Sequence, residues 1–200
     1  MNRKYWVSQV ALATALAAFV VTSVAVLAPP QASAANPPQA ADQKPMPTES
    51  QIVLSQWNEI GRKLIAIAED LPADKYDYKP NPDSRTFVGQ LLHASASMYY
   101  FTDPAQGRKP RYPDDPNRDN LKTKTDIVAF VKKSVEDGAA VIKSKGDKGM
   151  SELFTDPESK QQMHFFDLAY ELMRHSENHY GQLVVYYRIN NLVPPESRKK

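Results

Sequence analysis

Sixteen prolines punctuate this chain, and every one lies outside four stretches whose apolar residues recur at helical spacing. Proline lacks a backbone N–H and clashes with the preceding turn, so this distribution favours an all-α fold. In the first stretch Thr48 and Gln51 form a capping box; Val53, Trp57, Ile60, Leu64, Ile67 and Leu71 follow at spacings of three and four, and Pro72 ends it. Thr86 caps a second stretch that runs to about Phe101, with Val88, Leu91, Leu92, Ser95 and Tyr99 along one face. Thr123 opens the third, in which Val128, Val131, Val135 and Ile142 face inward and the Lys145–Gly149 cluster stops the helix. The fourth is expected from near Met163 to about Asn190, where Asn191 and Pro194-Pro195 prevent continuation. The sequence shows no alternating strand pattern, internal repeat or glycine-rich phosphate loop.

Residues 102–122 join the second and third stretches and hold Pro104, Pro110, Pro113 and Pro116 among mixed charges. Such a connection is too long for a helical hairpin and suits a run along the length of a bundle. The expected architecture is therefore an all-α four-helix bundle with a long crossover connection between helices 2 and 3.

Residues 1–34 stand apart from this domain. Arg3 and Lys4, the apolar run from Val10 to Ala28 and then Ala32-Ser33-Ala34 read as a signal peptide cleaved after Ala34. The run just reaches spanning length, so the alternative is an uncleaved N-terminal anchor, the one case that implies contact with a membrane. Both readings place the folded part outside the cytoplasm, periplasmic or secreted. Residues 35–47, rich in Pro, Ala and Gln, act as a tether. Residues 48–196 then form one domain, large enough to bury a core without disulfides. The absence of cysteine removes thiolate as a metal ligand or nucleophile. Without Arg3 and Lys4 the basic and acidic residues balance, which does not suggest a nucleic-acid partner.

The chain has four histidines, and two of them fall where a core wants leucine. Phe165, Leu168, Leu172, His175, His179, Leu183 and Tyr186 lie on a single stripe of the fourth helix, so both imidazoles face inward one turn apart. Burying them without partners would cost a few kcal/mol. On the second helix His93 shares a stripe with Gly89, Ala96 and Tyr100, where small neighbours leave room around it. His93, His175 and His179 would give three nitrogens with one or more positions left for water or substrate, and three neutral imidazoles suit Zn, Ni, Fe or Cu without choosing among them. The competing reading is a set of core histidines hydrogen-bonded to Tyr99, Tyr100 or Gln182.

His164 is too far along the helix axis to join them. A zincin mechanism is excluded, because Glu177 falls two residues after His175 rather than one and points to solvent. Glu171, one turn before His175, is a candidate second-shell acceptor or added ligand, against an exposed pairing with Arg174. Gln182 and Tyr186 are candidate pocket residues, with ordinary interhelical hydrogen bonds as the alternative. Gly181, costly in mid-helix, suggests a close approach by another backbone.

The order and spacing of Leu71-Pro72, Tyr76, Tyr78, Lys79 and Pro80, then Thr86-Phe87 leading to Leu91-Leu92-His93, then His175-Ser176-Glu177-Asn178-His179-Tyr180-Gly181-Gln182 through Tyr186, Arg188 and Pro194-Pro195 resemble the DinB-like family of metalloenzymes. The resemblance covers nearly all of residues 48–196. It implies a four-helix bundle in which His93, His175 and His179 hold a divalent metal, commonly zinc, nickel or a similar ion. It also implies metal activation of a low-molecular-weight thiol in transferase or isomerase chemistry. That chemistry belongs to the cytoplasm, whereas the leader of this chain directs it elsewhere, where water is the available nucleophile.

Two functions follow as expectations. One is an exported metalloenzyme that activates water, or less readily a thiol, for hydrolysis or group transfer on a small substrate. The other is a non-catalytic metal- or small-ligand-binding stress-response module. A haem-carrying bundle lacks a CxxCH attachment site, and three clustered histidines exceed what one haem iron takes. Tyr99, Tyr100, Tyr180, Tyr186 and Tyr187 leave packing, or a homodimer contact, open.

Overall fold

A computed structural model describes residues 45–113, 115–156 and 159–199. The expected signal peptide and nearly all of the tether lie outside the described residues. Among the described residues no helix is long and apolar enough to cross a membrane.

Four helices make up the domain: α1 (Glu49–Asp70), α2 (Phe87–Thr102), α3 (Lys124–Met150) and α4 (Phe165–Ile189). Side chains place the N-termini of α1, α2 and α3 where the sequence predicts them. Thr48 N–H donates to Gln51 Oε1 at 3.0 Å, Thr86 Oγ1 accepts from Gly89 N–H at 3.0 Å, and Thr123 N–H donates to Asp126 Oδ2 at 2.9 Å. Each bond satisfies a backbone donor or fixes the chain's entry into its helix.

Helix α1 packs against α3 and α4, and α2 packs against the same two from the opposite side. Pairings between helices give their directions. Ser50 meets Asp147, Trp57 Nε1–H donates to the Val135 carbonyl at 2.9 Å, and Lys124 Nζ donates to the Leu71 carbonyl at 2.7 Å, so α1 and α3 are antiparallel. Lys63 meets Glu177 and Tyr187 OH donates to the Ile67 carbonyl, so α1 and α4 run together. Helix α2 opposes α4 and therefore runs with α3. Two sequential parallel helices cannot be joined by a tight turn, which is why residues 103–123 must travel back along the bundle.

The α1–α3 contact is close. A Cβ on Gly138 would sit 1.8 Å from Trp57 Cζ2, so the indole can come this close to the α3 backbone only because that position is glycine. Near its end α3 breaks at Gly146, whose φ of 56° is open to glycine at little cost, and a final turn continues to Met150.

Some elements depart from expectation. Helix α2 has no single apolar face: Phe87, Val88 and every residue from Gln90 to Tyr99 are buried. The connections cover its outer side. Tyr78 and Tyr76 carbonyls accept from the Phe87 and Val88 amides, while Tyr112 packs on Tyr99 with ring centroids 5.2 Å apart. On α3, Ile127 and Phe130 fill the core where Val128 was expected, and Val128 is only half-buried. Met163 is not helical. Leu153–Thr155 (β1) and Gln162–His164 (β2) form an antiparallel hairpin in which Phe154 pairs with Met163, and α4 starts at Phe165. Strands of three residues are too short to carry a readable alternation.

Candidate metal centre

Helices α2 and α4 cross the middle of the bundle antiparallel, and each presents one polar stripe to the other. On α2 the stripe is Gln90, His93 and Ser97, at spacings of three and four; on α4 it is His175, His179 and Gln182, at spacings of four and three. Gln90 meets Gln182 and His179, His93 meets both α4 rings at an angle, and Ser97 meets His175. Two helical repeats in opposite register thus bring three imidazoles to one place.

The ring centroids of His93 lie 5.1 Å from His175 and 4.5 Å from His179, and the two α4 rings are 4.3 Å apart. One ligand nitrogen from each ring lies within 4.8 Å of the other two. His93 and His179 are buried and His175 is half-buried. Each ring also has one nitrogen engaged elsewhere. His93 Nδ1 lies 3.2 Å from Asp115 Oδ1, and His175 Nε2 lies 3.1 Å from Ser97 Oγ, whose own proton goes to the His93 carbonyl. His179 Nδ1 is held by the Gln90 amide, which also donates to Gln182 Oε1 at 2.8 Å. An amide can present either its N–H or its oxygen to an imidazole, so Gln90 can hold either tautomer of His179.

Burial, then the charges that His175 and His93 would carry, then Arg85 push the His179 imidazole down to about 3. It is a neutral base throughout the physiological range, which is the form a metal takes. The donor set therefore fits a divalent ion: three imidazoles, at least one held neutral, each with its second nitrogen oriented by a neighbour.

The remaining candidates divide. Gln182 takes part in the Gln90 hydrogen bonds. Tyr186 OH donates to the Arg85 carbonyl at 2.6 Å, and burial raises its phenol above the ordinary value. Both border a cavity of about 820 Å³ shared with Ser84, Arg85, Gln90 and Asp115. Glu171 instead pairs with Arg174. Tyr99 bonds Asp137 rather than a histidine. His164 lies on the surface, with Nδ1 3.0 Å from the Ser151 carbonyl. Among the described residues, beyond its own stretch of helix, no heavy atom lies within 4 Å of where a Cβ on Gly181 would stand, so none of their backbone elsewhere approaches it. Glu177 points outward to Lys63.

Sequence reading did not find Gln90, Ser97 or Asp115. Gln90 and Ser97 could have been found, because they stand three before and four after His93 on one helical face. Asp115 sits in an irregular connection with no periodicity to place it.

A sequence model of the DinB superfamily matches residues 56–183. A DinB-like protein from Bacillus cereus has a similar structure: the TM-score is 0.61 at 18% identity, covering 72% of this chain and 93% of that one. A second DinB-like protein, from Bacillus subtilis, gives a TM-score of 0.58 at 19% identity, covering 74% of this chain and 99% of that one. At these identities the likeness speaks to the fold. Comparison with curated proteins gives no match.

Proposed function

We propose, from the premise that this chain belongs to the DinB superfamily, that it is an exported metalloenzyme in which His93, His175 and His179 hold a divalent ion and a small substrate undergoes hydrolysis or group transfer. The observation that carries the reading is the meeting of three inward-facing imidazoles, with ligand nitrogens within 4.8 Å of one another. A divalent ion of the zinc, nickel or iron type supplies Lewis-acid activation of water, or less readily of a thiol.

The chain's own residues supply the rest. Burial keeps His179 a free base, Gln90 fixes its ring, and Ser97 fixes that of His175. The cavity of about 820 Å³ bordered by Gln90, Gln182 and Asp115 has the size of a small-molecule site beside these rings. The Tyr186 hydroxyl, committed to the Arg85 carbonyl, forms part of its wall. Export is supported by the basic, apolar and small-residue segments of residues 1–34. Outside the cytoplasm water is a more available nucleophile than a thiol.

One observation favours the second reading, a metal- or small-ligand-binding stress-response module without turnover. Carboxylates beside these histidines are already engaged, Asp115 with Arg85 and His93, Glu171 with Arg174, and Glu177 with Lys63. A panel of esters, amides and thiol conjugates separates the two. Turnover by the metal-loaded chain that is lost in His179→Ala supports the enzyme; metal uptake with no turnover of any of them supports the module.

A further inference from the structure

We infer that Asp115 is a positioning residue of the metal centre, reaching in from the α2–α3 crossover to hold His93, so that the crossover is part of the site rather than a passive connection. The inference rests on the metal reading above and goes beyond it, since it assigns a role to a residue outside the three ligands.

The geometry is a chain of contacts. Arg85, just before the cap of α2, donates to Asp115 through Nε at 2.8 Å and Nη2 at 3.1 Å, a two-pronged grip that fixes the plane of the carboxylate. Asp115 Oδ1, the oxygen that accepts from Nε, also lies 3.2 Å from His93 Nδ1. A carboxylate accepts and cannot donate, so this contact requires the proton of His93 to be on Nδ1, which makes Nε2 the nitrogen with the lone pair. His93 is the only one of the three histidines on α2, and it has a buried ring to keep in one orientation. A carboxylate behind a ligating imidazole fixes the tautomer and raises the basicity of the ring.

The crossover is anchored well enough to deliver this side chain. On one side Arg111 binds Asp103 and Tyr112 packs on Tyr99 and Phe130; on the other Arg118 binds Asp77. Asp115 lies between these two attachments. Coupling is reciprocal: if Asp115 strengthens metal binding, bound metal must tighten the hold of the crossover on the bundle.

The test uses the full chain with zinc as probe, its dissociation constant measured by competition with a chelating dye. Asp115→Ala should weaken zinc roughly 10- to 100-fold, and Asp115→Asn, whose oxygen still accepts from Nδ1–H, should weaken it less. Zinc should also slow amide hydrogen exchange across residues 103–123 in the wild type and not in Asp115→Ala. Equal zinc affinity in wild type and Asp115→Ala overturns the inference and leaves the metal centre standing. A wild-type chain that takes up no zinc overturns the metal reading instead. In that case the imidazole ¹⁵N spectrum of the metal-free protein decides: a His93 ring protonated on Nδ1 in wild type but not in Asp115→Ala upholds the positioning role, and a ring protonated on Nε2 in wild type overturns it. Asp115 is more than half exposed, so its replacement should leave the fold intact, and circular dichroism of both variants checks this.

Discussion

Helix α2 carries two buried polar clusters, and they are built on opposite principles. At its C-terminal end the Asp103 carboxylate is fully buried and meets the guanidinium groups of Arg108 at 2.9 Å and Arg111 at 2.7 Å. Arg111 continues to Asp137 and stacks over Tyr99 at 4.2 Å, and Asp137 accepts from the Tyr99 hydroxyl. Every charge there has an opposite charge from the chain itself. About three turns earlier, His93, His175 and His179 bring three groups of one kind together, and the other two oppose a proton on His179. The first cluster is completed from within the sequence; the second has the chemistry to take a cation from outside. Buried polar groups hold a fold in the first case and prepare a binding site in the second.

Acid should separate the two clusters most clearly. Burial and the neighbouring imidazoles hold His179 down to about 3, whereas in the unfolded chain it takes a proton near 6.5. The unfolded state therefore binds more protons below pH 6.5, and the metal-free protein should lose on the order of 4 kcal/mol as pH falls from about 6.5 toward 3. For Asp103, burial alone would raise the carboxyl, but the hydrogen bonds and charge of Arg111, with Arg108, outweigh it and hold the group below its ordinary value. Its stabilisation is complete above pH about 4 and fades only below that. Chemical denaturation across pH in the presence of a chelator should show both windows. His179→Gln should remove the upper one and Asp103→Asn the lower; a single transition unchanged by either variant would break the comparison.

At neutral pH, Asp103→Ala should cost about 3 kcal/mol, because it leaves Arg108 and Arg111 facing a vacated site, although both are partly in solvent. Urea midpoints measure it, and the three histidines should still take up zinc, but less tightly, because Asp103 anchors the crossover that carries Asp115 to His93. Tyr187→Phe removes the bond to the Ile67 carbonyl at 3.0 Å and the contact with Asp70, for a smaller loss of about 1 kcal/mol. Glu171→Gln should change neither urea midpoint nor zinc affinity, since its partner is the exposed Arg174. A loss of zinc affinity in that variant would return Glu171 to the metal centre.

The same contrast explains what could be read in the sequence. Helix ends were legible because proline and the Thr48, Thr86 and Thr123 caps act locally. His175 and His179 were legible because one helical period puts them on the stripe of Leu172 and Leu183. His93 could be joined to them because small neighbours on its stripe leave room around it and the family resemblance implies the same three ligands. The Asp103 cluster was not legible, since nothing in Asp103-Pro104 tells that Arg108 and Arg111 fold back over it. Helix α2 read as amphipathic because local pattern cannot show that two irregular connections will cover its outer side. Gly181 read as a packing site, although no described residue from another element approaches it. Asp115 illustrates the limit: its position depends on the path of the whole crossover, and only the fold brings it to His93.

The metal content of the full chain purified from its native compartment tests the central claim most directly. Three convergent imidazoles should retain close to one divalent ion per chain, and His179→Ala should retain none. Protein that carries no stoichiometric metal and acquires none on incubation with zinc, nickel or iron salts would contradict the account.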